Sequence, residues 1–214
     1  MKKNFSCIIF SGLDGSGKST QANLLKDFFQ EHGISTNYFW LRSPNRISIP
    51  LIIIFKLMRI SFSQKTKSGN MIGVTNLENH KFLQKIWKKT LFSDMEFAVK
   101  HKIEPIIDNS KIPIIDRFVI DTLVDLAIDT NDDSVVDDLG QNFLSLLPKQ
   151  SKLFFLDIEP KLSYERNLEE SVAILERRKR LYYKISKITN LIIIDGNKSI
   201  KEIHNQIIQE CDLK

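Results

Sequence analysis

Residues 5–11 read Phe-Ser-Cys-Ile-Ile-Phe-Ser and run straight into Gly12-Leu13-Asp14-Gly15-Ser16-Gly17-Lys18-Ser19-Thr20. The second stretch satisfies the pattern Gly-x4-Gly-Lys-Ser/Thr at every required position, and it sits where an apolar strand hands over to a helix. Glycines let the backbone turn tightly and aim several N–H groups at phosphate oxygens. The helix that follows adds a favourable dipole and unpaired donors. Lys18 is placed to reach the β- and γ-phosphates, and the Ser19 hydroxyl is a candidate Mg²⁺ ligand. An ordinary Gly/Ser turn before a helix would not need all these positions at once. Gly12 to Thr20 is therefore the candidate loop for a nucleoside triphosphate, with Mg²⁺ as its metal.

Bulk properties narrow the class further. At 214 residues, with 42% hydrophobic and 27% charged residues, the chain suits one folded α/β domain over residues 1–214. The net charge of +5 fits an anionic substrate without selecting one. The positive residues are mostly dispersed, so a nucleic-acid partner is not expected. Cys7 and Cys211 lie at opposite ends without metal-ligand spacing, and Cys7 reads as a small buried hydrophobe. The start, Met-Lys-Lys followed by six apolar-rich residues, flows into the phosphate loop rather than a cleavage site, so a cytoplasmic protein is expected. Ile49 to Met58 is the most apolar segment, too short to span a bilayer, and no membrane partner is expected. It reads as a helix buried beside the sheet, with a dimer face or a wall of the acceptor pocket as alternatives.

Strand-like runs recur at Phe5–Phe10, Asn37–Leu41, Ile112–Ile115, Lys152–Asp157 and Leu191–Asp195, with helical patterns between them. Ser19–Glu31 closes at Gly33, a C-cap signal. Leu77–Asn109 is long enough for two helices or one. Asp121–Ile128, Ser134–Leu147, Pro160–Ile185 and Ser199–Cys211 follow, and Asn131–Asp138 reads as a solvated helix start. Residues 61–76 are polar, carry Gly69 and Gly73, and read as a mobile loop. The alternation implies a parallel sheet with helices on both faces, and ligands gather at the carboxyl ends of such strands.

Two further signals lie at or near those ends. Ile112-Pro-Ile-Ile-Asp116-Arg117 puts a carboxylate and a guanidinium at the end of a buried strand. Asp116 suits the Mg²⁺ shell or the acceptor's proton, and Arg117 suits an acceptor phosphate. A structural ion pair is the plainer alternative. Arg166 and Arg177-Arg178-Lys179-Arg180 lie in a long helical region interrupted near Glu169–Val172. A lid over about 160–185 carrying arginines would stabilise charge on a transferred phosphoryl group, Arg166 and Arg177 being the better candidates. The interleaved glutamates also fit a solvated helix face.

With these residues in place the chain resembles the thymidylate kinases, within the wider group of P-loop nucleoside and nucleotide kinases. The loop resembles that family's version, Asp14 included. Asp116-Arg117-Phe118 resembles its Asp-Arg-Tyr, Leu91-Phe92-Ser93-Asp94 is similar in position to its helical Asp-Arg segment, and Asp157 to Arg180 is similar to its lid region. The resemblance implies a P-loop NTPase three-layer sandwich with a five-stranded parallel sheet. It implies ATP-dependent transfer to a nucleoside monophosphate, dTMP first, and allows a homodimer. Asp14, Arg42, Asp94, Phe97 and Arg117 become candidate acceptor-binding residues, and Ser19 and Asp116 candidate metal ligands.

The departures matter as much. After the second strand the family's Arg-Glu-Pro-Gly-Gly-Thr is replaced by Arg42-Ser43-Pro44-Asn45-Arg46, which keeps Arg42 and Pro44 but loses the acid and both glycines. The family's base-reading Arg and Gln fall on Met95 and Phe97, and its serines, Tyr and Gln after Asp-Arg give way to Asp121, Thr122 and Asp125. The donor half is retained while the acceptor half is rewritten. A kinase of the same fold with another acceptor, such as a nucleoside or a small phosphorylated metabolite, is therefore the nearest alternative. A non-catalytic nucleotide-binding regulator is the next, and a nucleic-acid-end kinase is a third.

Overall fold

The computed structural model describes residues 4–42, 46–67, 69 and 71–213. Five parallel strands form the central sheet: β1 (Cys7–Ser11), β2 (Thr36–Trp40), β5 (Ile112–Asp116), β6 (Ser151–Asp157) and β7 (Leu191–Asp195). Their order is β2-β5-β1-β6-β7, with β1 at the centre. Successive side chains of a strand point to opposite faces, and both faces are apolar here. Cys7 and Ile9, Ile115, Leu153 and Phe155 enter one core; Ile8 and Phe10, Ile112 and Ile114, Phe154 and Leu156 enter the other. Burial on both sides is why these strands read as continuous apolar runs.

Helices α1 (Lys18–Glu31) and α9 (Ile200–Glu210) cover the second face through Ala22, Leu25, Phe29, Ile203 and Ile207. The end of α1 follows from Gly33, whose φ of 70° sits one residue past the C-cap. Gly33 N donates to Gln30 O and Ile34 N to Phe29 O, which satisfies two of the helix's orphan carbonyls. The first face carries α2 (Ser48–Leu57), α3 (Lys81–Ala98), α5 (Val119–Thr130), α6 (Val135–Leu144) and α8 (Val172–Ser186). A π-turn segment, Val99–Ile103, joins α3 to the short α4 (Glu104–Asp108) without a break in the winding. α7 (Pro160–Asn167) is separated from α8 by Leu168, in the left-handed region, and the Ser171 cap. The sheet between two helical layers is the three-layer α/β arrangement expected from the sequence.

Two expectations fail. Residues 61–76 are not a mobile loop but an antiparallel hairpin, β3 (Ser61–Lys65) and β4 (Met71–Thr75), paired from Ser61↔Thr75 to Lys65↔Met71. Phe62, Ile72 and Val74 share one face of this ribbon, so a period of two was present among polar neighbours. The apolar segment 49–58 is a helix, but not a buried one. Only Ser48 and Phe55 of α2 are buried, and Ile53 and Leu57 are 56% and 81% exposed. Phe55 packs on Trp87 of α3 at 5.6 Å between ring centroids. A helix apolar on every side gives no periodicity from which to read its inner face.

Candidate active site

The phosphate loop lies at the carboxyl end of β1, and its conformation depends on glycine at two points. Gly12 has φ 141°, and a Cβ there would stand 2.7 Å from Leu156 O. Gly15 has φ 75°, and a Cβ there would stand 2.9 Å from Cβ of Arg166. Gly17 begins α1 in the left-handed region. Lys18 is 5% exposed, folded into the loop, with Nζ donating to Leu13 O at 2.6 Å and Ser16 Oγ at 3.2 Å. Burial, aided by the nearby Arg117 guanidinium, brings its pKa down to about 7 against the pull of Asp14, Asp121 and Asp116.

The Ser19 hydroxyl donates to Asp116 Oδ2, which also accepts from Tyr38 OH at 3.1 Å. Asp116 is buried, and its Oδ1 has no hydrogen-bond partner among the described residues. A buried carboxylate oxygen left unpaired is costly. One serine hydroxyl and one carboxylate oxygen beside a phosphate loop would supply the small protein share of a Mg²⁺ site, the other ligands coming mostly from water and phosphate. These two residues fit the metal.

Arg117 leaves β5 at φ 66°, an uncommon conformation for a residue with a Cβ. That turn sends its side chain beneath the loop, where Nη1 donates to Gly12 O and Asp121 Oδ1, both at 3.0 Å, and Nη2 pairs with Asp14 Oδ1. Asp121, in the first turn of α5, also accepts from Ser11 Oγ at 2.7 Å and Tyr182 OH at 2.8 Å. Arg42 donates through Nη1 to Asp14 Oδ2 at 3.3 Å and forks onto Asp125 through Nε and Nη2. Burial opposes charge on Asp14, yet Arg117 and Arg42 together hold its pKa at about 2. Burial likewise opposes charge on Asp125, and Arg42 and Arg178 hold its carboxyl well below the usual range.

From α7, Ser163 Oγ donates to Asp14 O at 2.7 Å and Arg166 Nη1 to Gly15 O at 2.8 Å. The structure therefore gathers Asp14, Lys18, Ser19, Arg42, Asp116, Arg117 and Arg166 around the loop. It does not bring Arg177 there. That guanidinium donates to Asp133 Oδ1 at 2.6 and 2.9 Å and to Asn131 Oδ1 at 2.6 Å, beyond the far end of α5. Asp94 accepts from the backbone N–H groups of Arg46, Ile47 and Ser48 at 2.9–3.1 Å and from Ser48 Oγ, so it caps α2. Burial works against its charge, but these donors lower its pKa. Met95 is fully buried in the core, accepting from Thr122 Oγ1 at 3.6 Å. Phe97 stacks on His101 at 4.0 Å, with the Arg46 guanidinium 4.3 Å from its ring centre. Pro44 lies outside the described residues.

Sequence reasoning did not single out Tyr38, Asp121, Asp125, Glu170, Arg178 or Tyr182 as site residues. A signal existed for part of this set. Asp121 and Asp125 are four apart on α5 and so share one helix face, which meets Arg117 and Arg42.

The thymidylate kinase family model matches residues 57–207. This chain belongs to the thymidylate kinase family. The matched span begins after the phosphate loop, so the loop motif and the family match are separate observations that agree. Among the similar proteins are the thymidylate kinases of Leptospira interrogans, 27% identical over 95% of this chain and 90% of the relative, and of Fervidobacterium nodosum, 23% identical over 94% and 96%. That of Plasmodium falciparum is 24% identical over 98% of this chain and 90% of its own. The thymidylate kinase family is one of nucleoside monophosphate kinases. In this member no helix among the described residues is long and apolar enough to cross a membrane.

Proposed function

We propose that this protein transfers the γ-phosphoryl group of ATP to a nucleoside monophosphate, with dTMP the leading acceptor. The observation that carries the reading is the buried Oδ1 of Asp116, unpaired among the described residues, beside Ser19 at the mouth of a complete phosphate loop. Ser19 and Asp116 would hold magnesium, which neutralises charge developing on the phosphates. Lys18 exchanges Leu13 O and Ser16 Oγ for phosphate oxygens, and the added anions raise its pKa again so that it stays cationic. Arg117 anchors the loop and Asp14, while Arg42, with a quarter of its side chain exposed, is the guanidinium best able to take the acceptor phosphate. Arg166 stands over Gly15 and excludes water from the loop. Transfer then rests on positioning and electrostatics, with no covalent intermediate.

The acceptor's base is the less constrained half. Asp94 is consumed by the N-terminus of α2, Met95 by the core, and Phe97 by Arg46 and His101. None of the three offers a free polar edge to thymine, which favours a kinase of this fold with another acceptor as the second reading. We place the protein in the cytoplasm, a reading supported by two buried free thiols; burial pushes that of Cys211 up to about 12. A coupled ADP-release assay with Mg·ATP against a panel of nucleoside monophosphates, nucleosides and oligonucleotides tests the proposal. Turnover with dTMP well above the rest supports it. Turnover with another small acceptor moves the assignment to the second reading, and tight ATP binding without turnover moves it to a regulator.

A further inference from the structure

Tyr38 stands on β2, an outer strand of the sheet, paired in register with Ile114 of β5. Phe39 packs into the first core, so Tyr38 and Trp40 point to the other face. Both are open to solvent, Tyr38 by 37% and Trp40 by 59%. A tyrosine so placed can leave its hydroxyl in water. Here the hydroxyl turns inward and donates to Asp116 Oδ2 at 3.1 Å. The Ser19 hydroxyl, from the first turn of α1, donates to the same oxygen. Oδ2 therefore holds two donors from two elements, while the buried Oδ1 has none among the described residues. The terminal torsion of an aspartate is soft and roughly two-fold, so an unheld carboxylate interchanges its oxygens readily.

We infer that Tyr38 is a positioning residue of the metal–nucleotide site, holding Asp116 by Oδ2 so that Oδ1 stays unpaired and available to a magnesium ion. This rests on the proposed function for the roles of Asp116 and Ser19. Ser19 cannot hold the carboxylate by itself, because its own oxygen is the other expected ligand and its hydrogen bond must adjust when that oxygen takes a metal. Tyr38 is no ligand, so its donor serves the carboxylate in the same way with or without the ion. A hydroxyl given to an ionised carboxylate is among the stronger hydrogen bonds. Partners of this outer kind orient metal ligands, and their loss typically weakens metal binding by about 10–100-fold. The site is thereby preorganised from the edge of the sheet, by a residue outside the phosphate loop and outside the Asp116-Arg117 pair.

Tyr38→Phe keeps the ring and removes only the donor. The test titrates the β,γ-imido analogue of ATP calorimetrically, once with excess Mg²⁺ and once in EDTA, with no acceptor and no turnover. The ratio of the two Kd values is the gain that the metal adds, a coupling between ion and nucleotide. In Tyr38→Phe that gain falls by about tenfold, while the Kd in EDTA stays within about twofold of the parent. Tyr183 supplies a matched control, equally 37% exposed and donating to Asp157 Oδ2 at 2.7 Å at the end of β6. Tyr183→Phe leaves the gain unchanged. A merely structural hydrogen bond shifts the melting temperature, or both affinities together, and leaves the gain intact in Tyr38→Phe; that result, or equal losses in the two variants, overturns the inference. If the parent shows no gain from Mg²⁺, the metal–nucleotide reading falls and this inference with it. If the gain is lost in Tyr38→Phe but no acceptor is phosphorylated by the parent, the positioning role stands and the transfer reading falls.

Discussion

The phosphate loop is made of nine consecutive residues whose anion-facing groups are largely backbone N–H, whereas the cations beside it arrive from Arg42, Arg117, Arg166 and Arg178 on four separate segments. The first kind of site is written in one place because its geometry is set by glycines and by one strand–helix junction. The second kind exists only after β2, β5, α5, α7 and α8 have packed, and its specificity lies in side chains that can be exchanged without altering the loop. Chemistry common to a family can thus be held fixed on the donor side while the acceptor side diverges. The retained Asp116-Arg117 and the substituted Asp121 and Asp125, all within ten residues, mark the border between the two.

The largest expected effect removes the loop's own cation. Lys18→Met should lower kcat by about 10²–10³-fold, the scale for losing one preorganised charge stabiliser. Because the buried ammonium is itself costly, the variant should melt no lower than the parent at pH 7; a calorimetric scan beside the kinetic assay checks both halves. Next comes the contrast between Arg166 on α7 and Arg177 on α8. Arg166→Gln, at the loop, should reduce kcat by about tenfold. Arg177→Gln should leave kcat within about twofold and shift stability by no more than about 1 kcal/mol, as for a partly exposed pair. Equal losses in the two variants would erase the distinction between the loop-side and distant arginines.

Two smaller effects follow from protonation. The pKa of Lys18 is about 7 in the folded protein, below the unfolded 10.5. The unfolded chain therefore binds more protons between these values, and the contribution of Lys18 to stability rises with pH across that window. ATP binding near pH 8 should take up protons, seen as a dependence of the binding heat on the buffer's ionisation enthalpy, and Lys18→Met should abolish it. On the distal part of α5, burial and then Asp125 raise the pKa of Asp129 to about 7, against a Trp87 Nε1 hydrogen bond of 3.0 Å. A carboxyl raised in the folded state binds a proton that the unfolded chain has lost, so stability falls as pH rises from about 4 to 7. Asp129→Asn keeps an acceptor for Trp87 and should be more stable than the parent by about 1 kcal/mol at pH 8, with little difference at pH 4. Chemical denaturation at the two pH values measures it.

Much of the architecture was legible because its causes are local. Strands buried on both faces leave apolar runs, Gly33 marks the end of α1, and Pro160 starts α7. The hairpin was hidden because half of its alternating positions are Ser, Gln, Lys or Gly, which read as loop composition. The exposure of α2 was hidden for the opposite reason, since a segment apolar throughout looks like core. In the site, Lys18 and Ser19 follow from the spacing of the loop, and Asp116 from its place at the end of an apolar strand. Arg178 could not be separated from Arg177 and Arg180 on a basic run, because what distinguishes it is contact with Asp125 and Glu170, residues 53 and 8 positions away.

In the proposed reaction this loop and its Asp116–Ser19 pair deliver a phosphoryl group to a monophosphate. The most direct measurement follows γ-labelled ATP with Mg²⁺ and dTMP and separates the products. Label is expected in dTDP, dependent on both Mg²⁺ and Lys18. Label retained in ATP, or released only as inorganic phosphate, would contradict it.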